Sequence, residues 1–173
     1  MRFQGFVYRA HNPHWSWSPL SGEGARLHGG RFNRIGIPAL YTSLSPVTAI
    51  REASPLGRPM QPIVLCSYEV DAEPIFDATN SFQRAAHFVT DFELSCPNWE
   101  REMLDGATPA SHTLADRLIA AGYLGMRVQS FALGTEADDL NLVFWHWSDR
   151  RPSRVVVIDD EGRLLKNPSS PTN

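Results

Sequence analysis

The sequence predicts an α+β domain with mostly antiparallel sheets and helices inserted between the strands. Strand patterns dominate both ends of the 173-residue chain, and helical patterns occupy its middle. The sequence lacks regular strand–helix alternation, a GxGxxG motif after the first strand and a Walker P-loop, which disfavours Rossmann and P-loop folds. We expect one domain over residues 1–166 and a disordered polar tail over residues 167–173.

The first half of the chain predicts four strands and one short helix. FQGFVYRA (3–10) and ALYTS (39–43) have strand composition, and a loop rich in Gly, Pro and Ser separates them. Ser45 is a good N-cap and Pro46 suits the first helical position, so SPVTAIREA predicts a helix with Val47 and Ile50 on its core face. PIVLCSYEV (62–70) predicts a buried strand, and EPIFDA (73–78) a shorter one.

The second half predicts further helices followed by three strands. Residues 79–105 carry mixed helical patterns that SCPNW interrupts. SHTLADRLIAAGYLGMRV gives the clearest helix, because Leu114, Leu118 and Ile119 recur at helical spacing and Gly122 is a natural stop. GMRVQS, LNLVFWHW and RVVVID predict the last three strands.

Composition and charge exclude several classes of function. The net charge is -3 and the pI is near 6.0, so we expect no direct contact with nucleic acid. The longest apolar run is too short to cross a bilayer, and the N-terminus resembles a strand rather than a signal peptide, so we expect a cytoplasmic protein with no membrane contact. Cys66 and Cys96 are expected to be unpaired, and the histidines form no metal signature.

The segment HGGRFNRIGIPALYTSLSPVTAIRE (28–52) brings together three groups that suit a dinucleotide. Arg31 is a permanent cation that suits phosphate, and adjacent glycines allow close approach of a ligand. Tyr41 offers a flat face, and Glu52 offers a carboxylate for ribose hydroxyls or for an oxocarbenium-like transition state. Each group also has an ordinary interpretation: a surface ion pair, a core-edge tyrosine and a solvated helical glutamate. Residue types and spacing leave both interpretations open.

The chain resembles the RES-domain toxins of bacterial type II toxin–antitoxin systems over roughly residues 5–158. The matching pieces are YRA at 8–10, GGRFN at 29–33, ALYTS at 39–43, the helix with Glu52, and MRVQSFA followed by LNLVFW. Arg31, Glu52 and Ser130 match the three residues that name the family. One departure is VQSFA, where members often have Pro-Ser-Ala.

The resemblance implies a compact ADP-ribosyltransferase-like fold around an NAD cleft, with NAD as co-substrate and no metal. It implies that Arg31 holds the phosphates, Tyr41 stacks on nicotinamide, and Glu52 binds ribose hydroxyls and stabilises the developing cation. Ser130 is implied to contact nicotinamide or its ribose. Asn33 is expected to fix its loop through bonds to the backbone.

Several residues keep two interpretations. Tyr8 and Arg9, at the end of the first strand, either line the NAD cleft or serve strand packing and surface charge. Asn141 is expected to be a buried turn or bulge residue. Trp15 and Trp17 lie in a loop, where they would cover a ligand or meet a partner.

The family's chemistry implies a mono-ADP-ribosyltransferase that modifies a host protein, such as phosphoribosyl pyrophosphate synthetase, and inhibits growth. The alternative enzyme is an NAD glycohydrolase or NAD phosphorylase that uses the same residues. A non-enzymatic alternative is a degenerate nucleotide-binding module. The implied partners are a protein acceptor for ADP-ribose and a small Xre-like antitoxin that covers the NAD cleft.

Overall fold

The computed structural model describes residues 1–54 and 59–166. The expected disordered tail over residues 167–173 lies outside the described residues. The strands are β1 (Phe3–His11), β2 (Leu40–Ser43), β3 (Val64–Ala72), β4 (Ile75–Asp77), β5 (Gly125–Gln129), β6 (Leu140–Phe144) and β7 (Ser153–Val157). The α-helices are α1 (Glu23–His28), α2 (Pro46–Ala53), α3 (Ser81–Ala86), α4 (Asp91–Ser95), α5 (Trp99–Leu104) and α6 (Ala110–Ala120), and a 3₁₀ helix covers Pro13–Trp15.

The strands join in one seven-stranded sheet with the order β4-β5-β6-β2-β1-β3-β7. Neighbouring strands are antiparallel except for the β4–β5 pair, which is parallel. The predicted α+β class with mostly antiparallel strands is therefore confirmed. β1 pairs with β3 from Phe3 to His11, whereas β1 and β2 meet only at Tyr8 and Ser43. The sheet consequently splits into two halves along β1 and β2.

Side chains alternate between two hydrophobic cores, because successive strand residues point to opposite faces of the sheet. On β6, Val143 joins a core that also contains Leu114 and Leu118 of α6, whereas Leu142 joins a second core with Tyr68 of β3. The predicted helix around Leu114 and Leu118 is confirmed. It ends before Gly122, whose φ of 86° suits a residue without a side chain.

Helix α2 begins as predicted but buries a different face. The Ser45 hydroxyl accepts a hydrogen bond from the Thr48 amide at 3.0 Å, and Pro46 opens the helix. The predicted core face was wrong, because Val47 is 55% exposed and the buried residues are Thr48 and Ala49. Thr48 can be buried because its hydroxyl donates to Asp139. Glu52 follows Thr48 by four positions and so lies on the face directed at the sheet.

The segment over residues 11–30 contains more regular structure than the sequence indicates. The 3₁₀ helix and α1 lie in what was predicted as a loop rich in Gly, Pro and Ser. The Asn12 side chain caps the 3₁₀ helix by accepting from the His14 amide, and Arg26 pairs with Glu23 on α1. Both helices are shorter than the window in which a hydrophobic period is recognisable, so the local polar contacts decide them.

Candidate active site

A cleft opens where β1 and β2 separate. It consists of two cavities of about 210 and 450 Å³ that share Arg9, Tyr41, Glu52 and Asn141 in their walls. We call these two cavities together the main cleft. Its walls come from both halves of the split sheet, from α2 and from the loop after β5, so residues distant in sequence meet there.

Glu52 lies at the edge of the main cleft with its carboxylate held by two neutral donors. Its Oε1 accepts hydrogen bonds from the Ser130 hydroxyl at 2.6 Å and from Asn141 Nδ2 at 2.5 Å. No described residue donates a hydrogen bond to Oε2. The residue is exposed, so the carboxylate is oriented by the sheet and still open to a ligand.

The two donors are themselves fixed by the strands that carry them. Ser130 directly follows β5 and is 2% exposed. Asn141 lies opposite Ser43 in the β2–β6 ladder, and its Oδ1 accepts from the Ser43 hydroxyl at 2.7 Å. This bond fixes the amide orientation and directs Nδ2 towards Glu52. The expectation of a buried turn or bulge residue at Asn141 was wrong, because the residue is a regular member of β6.

Arg31 follows a tight glycine turn and packs against the far wall. A side chain at Gly30 would lie 2.5 Å from Tyr41 Oη and 2.7 Å from Asn33 Oδ1, so only glycine fits there. Arg31 Nη1 donates to the carbonyls of Ser95 and Cys96 at the end of α4. The guanidinium carbon also lies 4.8 Å from the centre of the Phe131 ring.

The charge of Arg31 persists despite this burial. Burial lowers the pKa of the guanidinium from its ordinary value, with Glu52 among the groups that oppose the shift. Arginine nevertheless stays protonated in proteins, so the cleft contains a fixed cation opposite the Glu52 carboxylate. No described residue accepts a hydrogen bond from Arg31 Nε or Nη2.

The Tyr41 hydroxyl is used to hold the glycine turn. It accepts from the Phe32 amide at 2.9 Å and donates to Asn33 Oδ1 at 2.8 Å. Burial raises the pKa of Tyr41 above its ordinary value, so the phenol stays neutral. Asn33 in turn donates to the backbone carbonyls of Ala25, Arg34 and Ile37, which confirms its expected part in fixing the loop. Tyr41 lines both cavities of the main cleft.

Arg9 lies where the cavities meet. Its Nη1 donates to the carbonyls of Pro19 at 3.0 Å and Ser21 at 2.9 Å, and burial lowers the pKa of its guanidinium. Tyr8 is half-buried and lines the smaller cavity beside it. Both residues therefore line the cleft, and strand packing alone does not account for Arg9.

Three further observations concern metal ligands, membrane-spanning helices and thiols. Within residues 1–54 and 59–166, no group of three or more His, Cys, Asp or Glu side chains is arranged to hold a metal ion. In the same part of the chain, no helix is long and apolar enough to cross a membrane. Cys66 and Cys96 are buried free thiols.

Comparison with known proteins identifies the family. A family model described as the RES domain matches residues 6–167. The chain belongs to the RES domain family. The match covers nearly the whole RES domain predicted from the sequence motifs and contains every residue of the main cleft named above.

The fold of this RES domain also resembles a solved structure. A chain in the crystal structure of the M. tuberculosis MbcT–MbcA toxin–antitoxin complex matches with a TM-score of 0.61 at 18% identity, covering 92% of this chain and 84% of that one. At this identity the match shows a shared fold. Among curated proteins, none matches the chain.

The structure brings the predicted site residues of the RES domain together around one cleft. Arg31, Tyr41 and Glu52 line the same cavity, and Ser130 bonds directly to Glu52. Their predicted roles towards NAD stay predictions. Sequence reasoning missed Asn141 and Phe131 as parts of the site. An asparagine inside the apolar run LNLVFW was the available signal, because a polar residue in such a strand needs a partner.

Proposed function

We propose that this RES-domain protein is a toxin that consumes NAD by transferring ADP-ribose to a protein of the host cell. The observation that carries the proposal is the Glu52 carboxylate, which Ser130 and Asn141 orient into a cleft that also contains the Arg31 cation and the Tyr41 ring. Family membership supports the proposal, because RES-domain toxins use NAD. The similar fold in the MbcT–MbcA toxin–antitoxin complex supports it further.

The chemistry is substitution at C1 of the nicotinamide ribose. When the bond between C1 and the ring nitrogen breaks, its electron pair goes to the nicotinamide, which leaves as a neutral molecule. The ribose then carries positive charge shared between C1 and the ring oxygen. A carboxylate already oriented beside the sugar stabilises this charge more than it stabilises neutral ribose, so Glu52 lowers the barrier to cleavage.

The remaining residues bind and position the substrate in this proposal. Arg31 uses Nη1 on the carbonyls of Ser95 and Cys96, and its Nε and Nη2 donors are placed for pyrophosphate oxygens. Tyr41 presents its ring for stacking against nicotinamide, since its hydroxyl already holds the Gly30 turn. Ser130 acts through the hydrogen bond from its hydroxyl to Glu52.

The same residues would serve water or phosphate as the nucleophile, because only the group that donates its electron pair to C1 differs. We propose transfer to protein, because the carboxylate edge of the cleft is open and Glu52 is exposed, so a side chain of another protein can approach C1. The same exposure calls for control by a partner. We propose a small Xre-like antitoxin that covers the main cleft. The toxin–antitoxin complex with the similar fold supports an antitoxin as the partner.

The test uses NAD labelled in its adenylate half, a bacterial lysate and purified protein, with Glu52→Gln as the control. We expect nicotinamide release together with label on a lysate protein. Label in free ADP-ribose identifies hydrolysis instead, and label in a phosphorylated ADP-ribose that appears only with added phosphate identifies phosphorolysis. Absence of nicotinamide release with and without lysate would overturn the proposal of an NAD-consuming enzyme.

A further inference from the structure

A third cavity, rich in tryptophan, lies beside the main cleft. Its volume is about 320 Å³, which is within the range of small-molecule sites. Trp15, Trp17 and Leu27 provide its apolar wall, and His11 and Arg9 provide polar groups. We call it the indole cavity. Trp15 is 56% exposed and Leu27 is 51% exposed, so these large apolar side chains are left open to water.

Hydrogen bonds anchor the loop that carries the two tryptophans. The Pro19 carbonyl accepts from Arg9 at 3.0 Å and from the Tyr68 hydroxyl at 2.9 Å. The neighbouring Leu20 carbonyl accepts from Trp147 Nε1 at 3.0 Å. These bonds come from β1, β3 and the segment after β6, so the loop is anchored to the sheet.

The indole rings are therefore presented as a preformed surface. Their centres lie 6.3 Å apart with 45° between the ring planes, so the two rings are tilted and do not stack face to face on each other. An anchored, exposed aromatic surface loses the benefit of burial unless a ligand covers it. A flat ring is the ligand that such a surface fits best, since stacking on aromatic side chains is the usual way proteins hold nucleobases.

The indole cavity adjoins the main cleft. Arg9 and Gly24 line both the indole cavity and the 450 Å³ cavity, and Glu52 lines the latter. NAD has a fixed order of parts: nicotinamide, ribose, pyrophosphate, ribose and adenine. For a nicotinamide ribose placed at Glu52, Arg31 and Arg9 are the cations of the same cavity that are available to the pyrophosphate, and Arg9 also lines the indole cavity.

We infer that the indole cavity binds the adenosine half of NAD, with the adenine ring against Trp15 and Trp17. This inference rests on the proposed function for the placement of nicotinamide. It assigns Arg9, which lies between the indole cavity and the main cleft, to the pyrophosphate. The Nη1 of Arg9 donates to the carbonyls of Pro19 and Ser21, and the rest of its guanidinium offers further donors. It also gives a ligand to the exposed Trp15 and to the half-buried Trp17.

The test compares NAD with nicotinamide mononucleotide, which has the same scissile bond and lacks adenosine. We expect wild-type kcat/KM to be larger for NAD. Trp15→Ala and Trp17→Ala should each lower kcat/KM for NAD about 10- to 100-fold, mainly through KM, because stacking on an aromatic side chain is lost. Activity on nicotinamide mononucleotide should stay unchanged. Trp17→Phe keeps an aromatic face and should retain most of the preference for NAD.

The matched control is Phe82→Ala on α3, a substitution at another exposed aromatic residue, which is 85% exposed and lines none of the three cavities described above. It should leave both substrates unaffected. Thermal melting of each variant separates loss of contact from loss of fold. If the tryptophan variants lower activity on both substrates by the same factor, or on neither, the inference is wrong.

A second measurement is independent of turnover. We expect adenosine monophosphate to bind the wild-type protein in isothermal titration calorimetry and to bind Trp15→Ala and Trp17→Ala at least tenfold more weakly. If the protein consumes no NAD but shows this binding, the proposed function fails and the nucleoside site stands. If NAD is consumed while adenosine monophosphate does not bind, the inference is overturned. If, in addition, the tryptophan variants lose only the binding of a partner protein, the indole cavity is a protein contact.

Discussion

Glu52 is the residue on which the proposed chemistry depends, and its surroundings explain how a surface carboxylate becomes specific. One carboxylate oxygen accepts hydrogen bonds from Ser130, which follows β5, and from Asn141, which belongs to the neighbouring strand β6. Both donors are neutral, so they orient the carboxylate without placing a countercharge against it. Glu52 belongs to the short helix α2, and the donors at the sheet orient its carboxylate.

We predict that Glu52→Gln folds normally, binds NAD and loses about 100- to 1,000-fold in turnover. Glutamine keeps an oxygen that accepts from Ser130 and Asn141, but it removes the negative charge that stabilises the ribosyl cation. The measurement is nicotinamide release, with thermal melting and NAD binding on the same preparation. The control is Glu69→Gln, which should have wild-type turnover. Glu69 is an exposed residue of β3 whose carboxylate accepts a hydrogen bond from Arg154 at 3.0 Å. Near wild-type release from Glu52→Gln would remove Glu52 from the mechanism.

Arg31 offers a second test at the scale of one residue. We predict that Arg31→Lys raises KM for NAD roughly 10- to 100-fold, as expected for losing charged hydrogen bonds. Lysine is a point charge and cannot contact the carbonyls of Ser95 and Cys96, the Phe131 ring and a phosphate together. Arg34→Lys is the control, since Arg34 is exposed and lies 3.6 Å from Asp116. An unchanged KM for Arg31→Lys would return Arg31 to a structural role.

At the scale of elements, Asp139 joins α2 to the loop between β5 and β6. Its Oδ1 accepts from the Thr48 hydroxyl, and its Oδ2 accepts from Arg51 Nη1 at 2.7 Å and from the Glu136 amide at 2.9 Å. The hydrogen bond from Thr48, followed by that from Glu136, holds the pKa of Asp139 below its ordinary value. The side chain is therefore ionised at neutral pH and keeps the Glu52 helix in place against the loop that begins at Ser130.

We predict that Asp139→Asn lowers kcat about 10- to 100-fold, because displacing a reacting group by about 1 Å has effects of this size. The adjacent exposed residue provides the matched control, and Asp138→Asn should have wild-type kcat. Nicotinamide release and thermal melting are measured for both variants. Because Asp139 positions Glu52, the double variant Asp139→Asn with Glu52→Gln should be no slower than Glu52→Gln alone. Additive losses would contradict the positioning role.

The sequence predicted the elements whose patterns are strong and local. The strands at both ends, the Ser45 cap and the helix with Leu114 and Leu118 follow from periodicity and capping chemistry. Prediction failed for α1 and for the buried face of α2. In α2, hydrophobicity pointed to Val47, but the Thr48 hydroxyl found a partner 91 residues away, which no local pattern reveals.

At the scale of the whole molecule, the site exists because the sheet splits between β1 and β2. Segment 28–52 contains Arg31, Tyr41 and Glu52, and these residue types suggested a dinucleotide site from the sequence. Asn141 and Phe131 come from the other end of the chain, and their parts in the site depend on which strands pair. The family motifs predicted Ser130, whereas its bond to Glu52 needed the structure.

The last prediction concerns the molecule as a toxin. We predict that expressing the chain alone in bacteria arrests growth, because uncontrolled cleavage of NAD by an exposed Glu52 harms the host. Glu52→Gln at equal soluble amount should permit normal growth, and Glu69→Gln should arrest it like wild type. Coexpression of the cognate antitoxin should restore growth and prevent nicotinamide release by the purified complex. Cellular NAD and protein-bound ADP-ribose, measured before growth stops, distinguish depletion from modification of a target. Normal growth with soluble, correctly folded wild-type protein would contradict the toxin proposal, whereas arrest by Glu52→Gln as well would show that toxicity does not arise from this site.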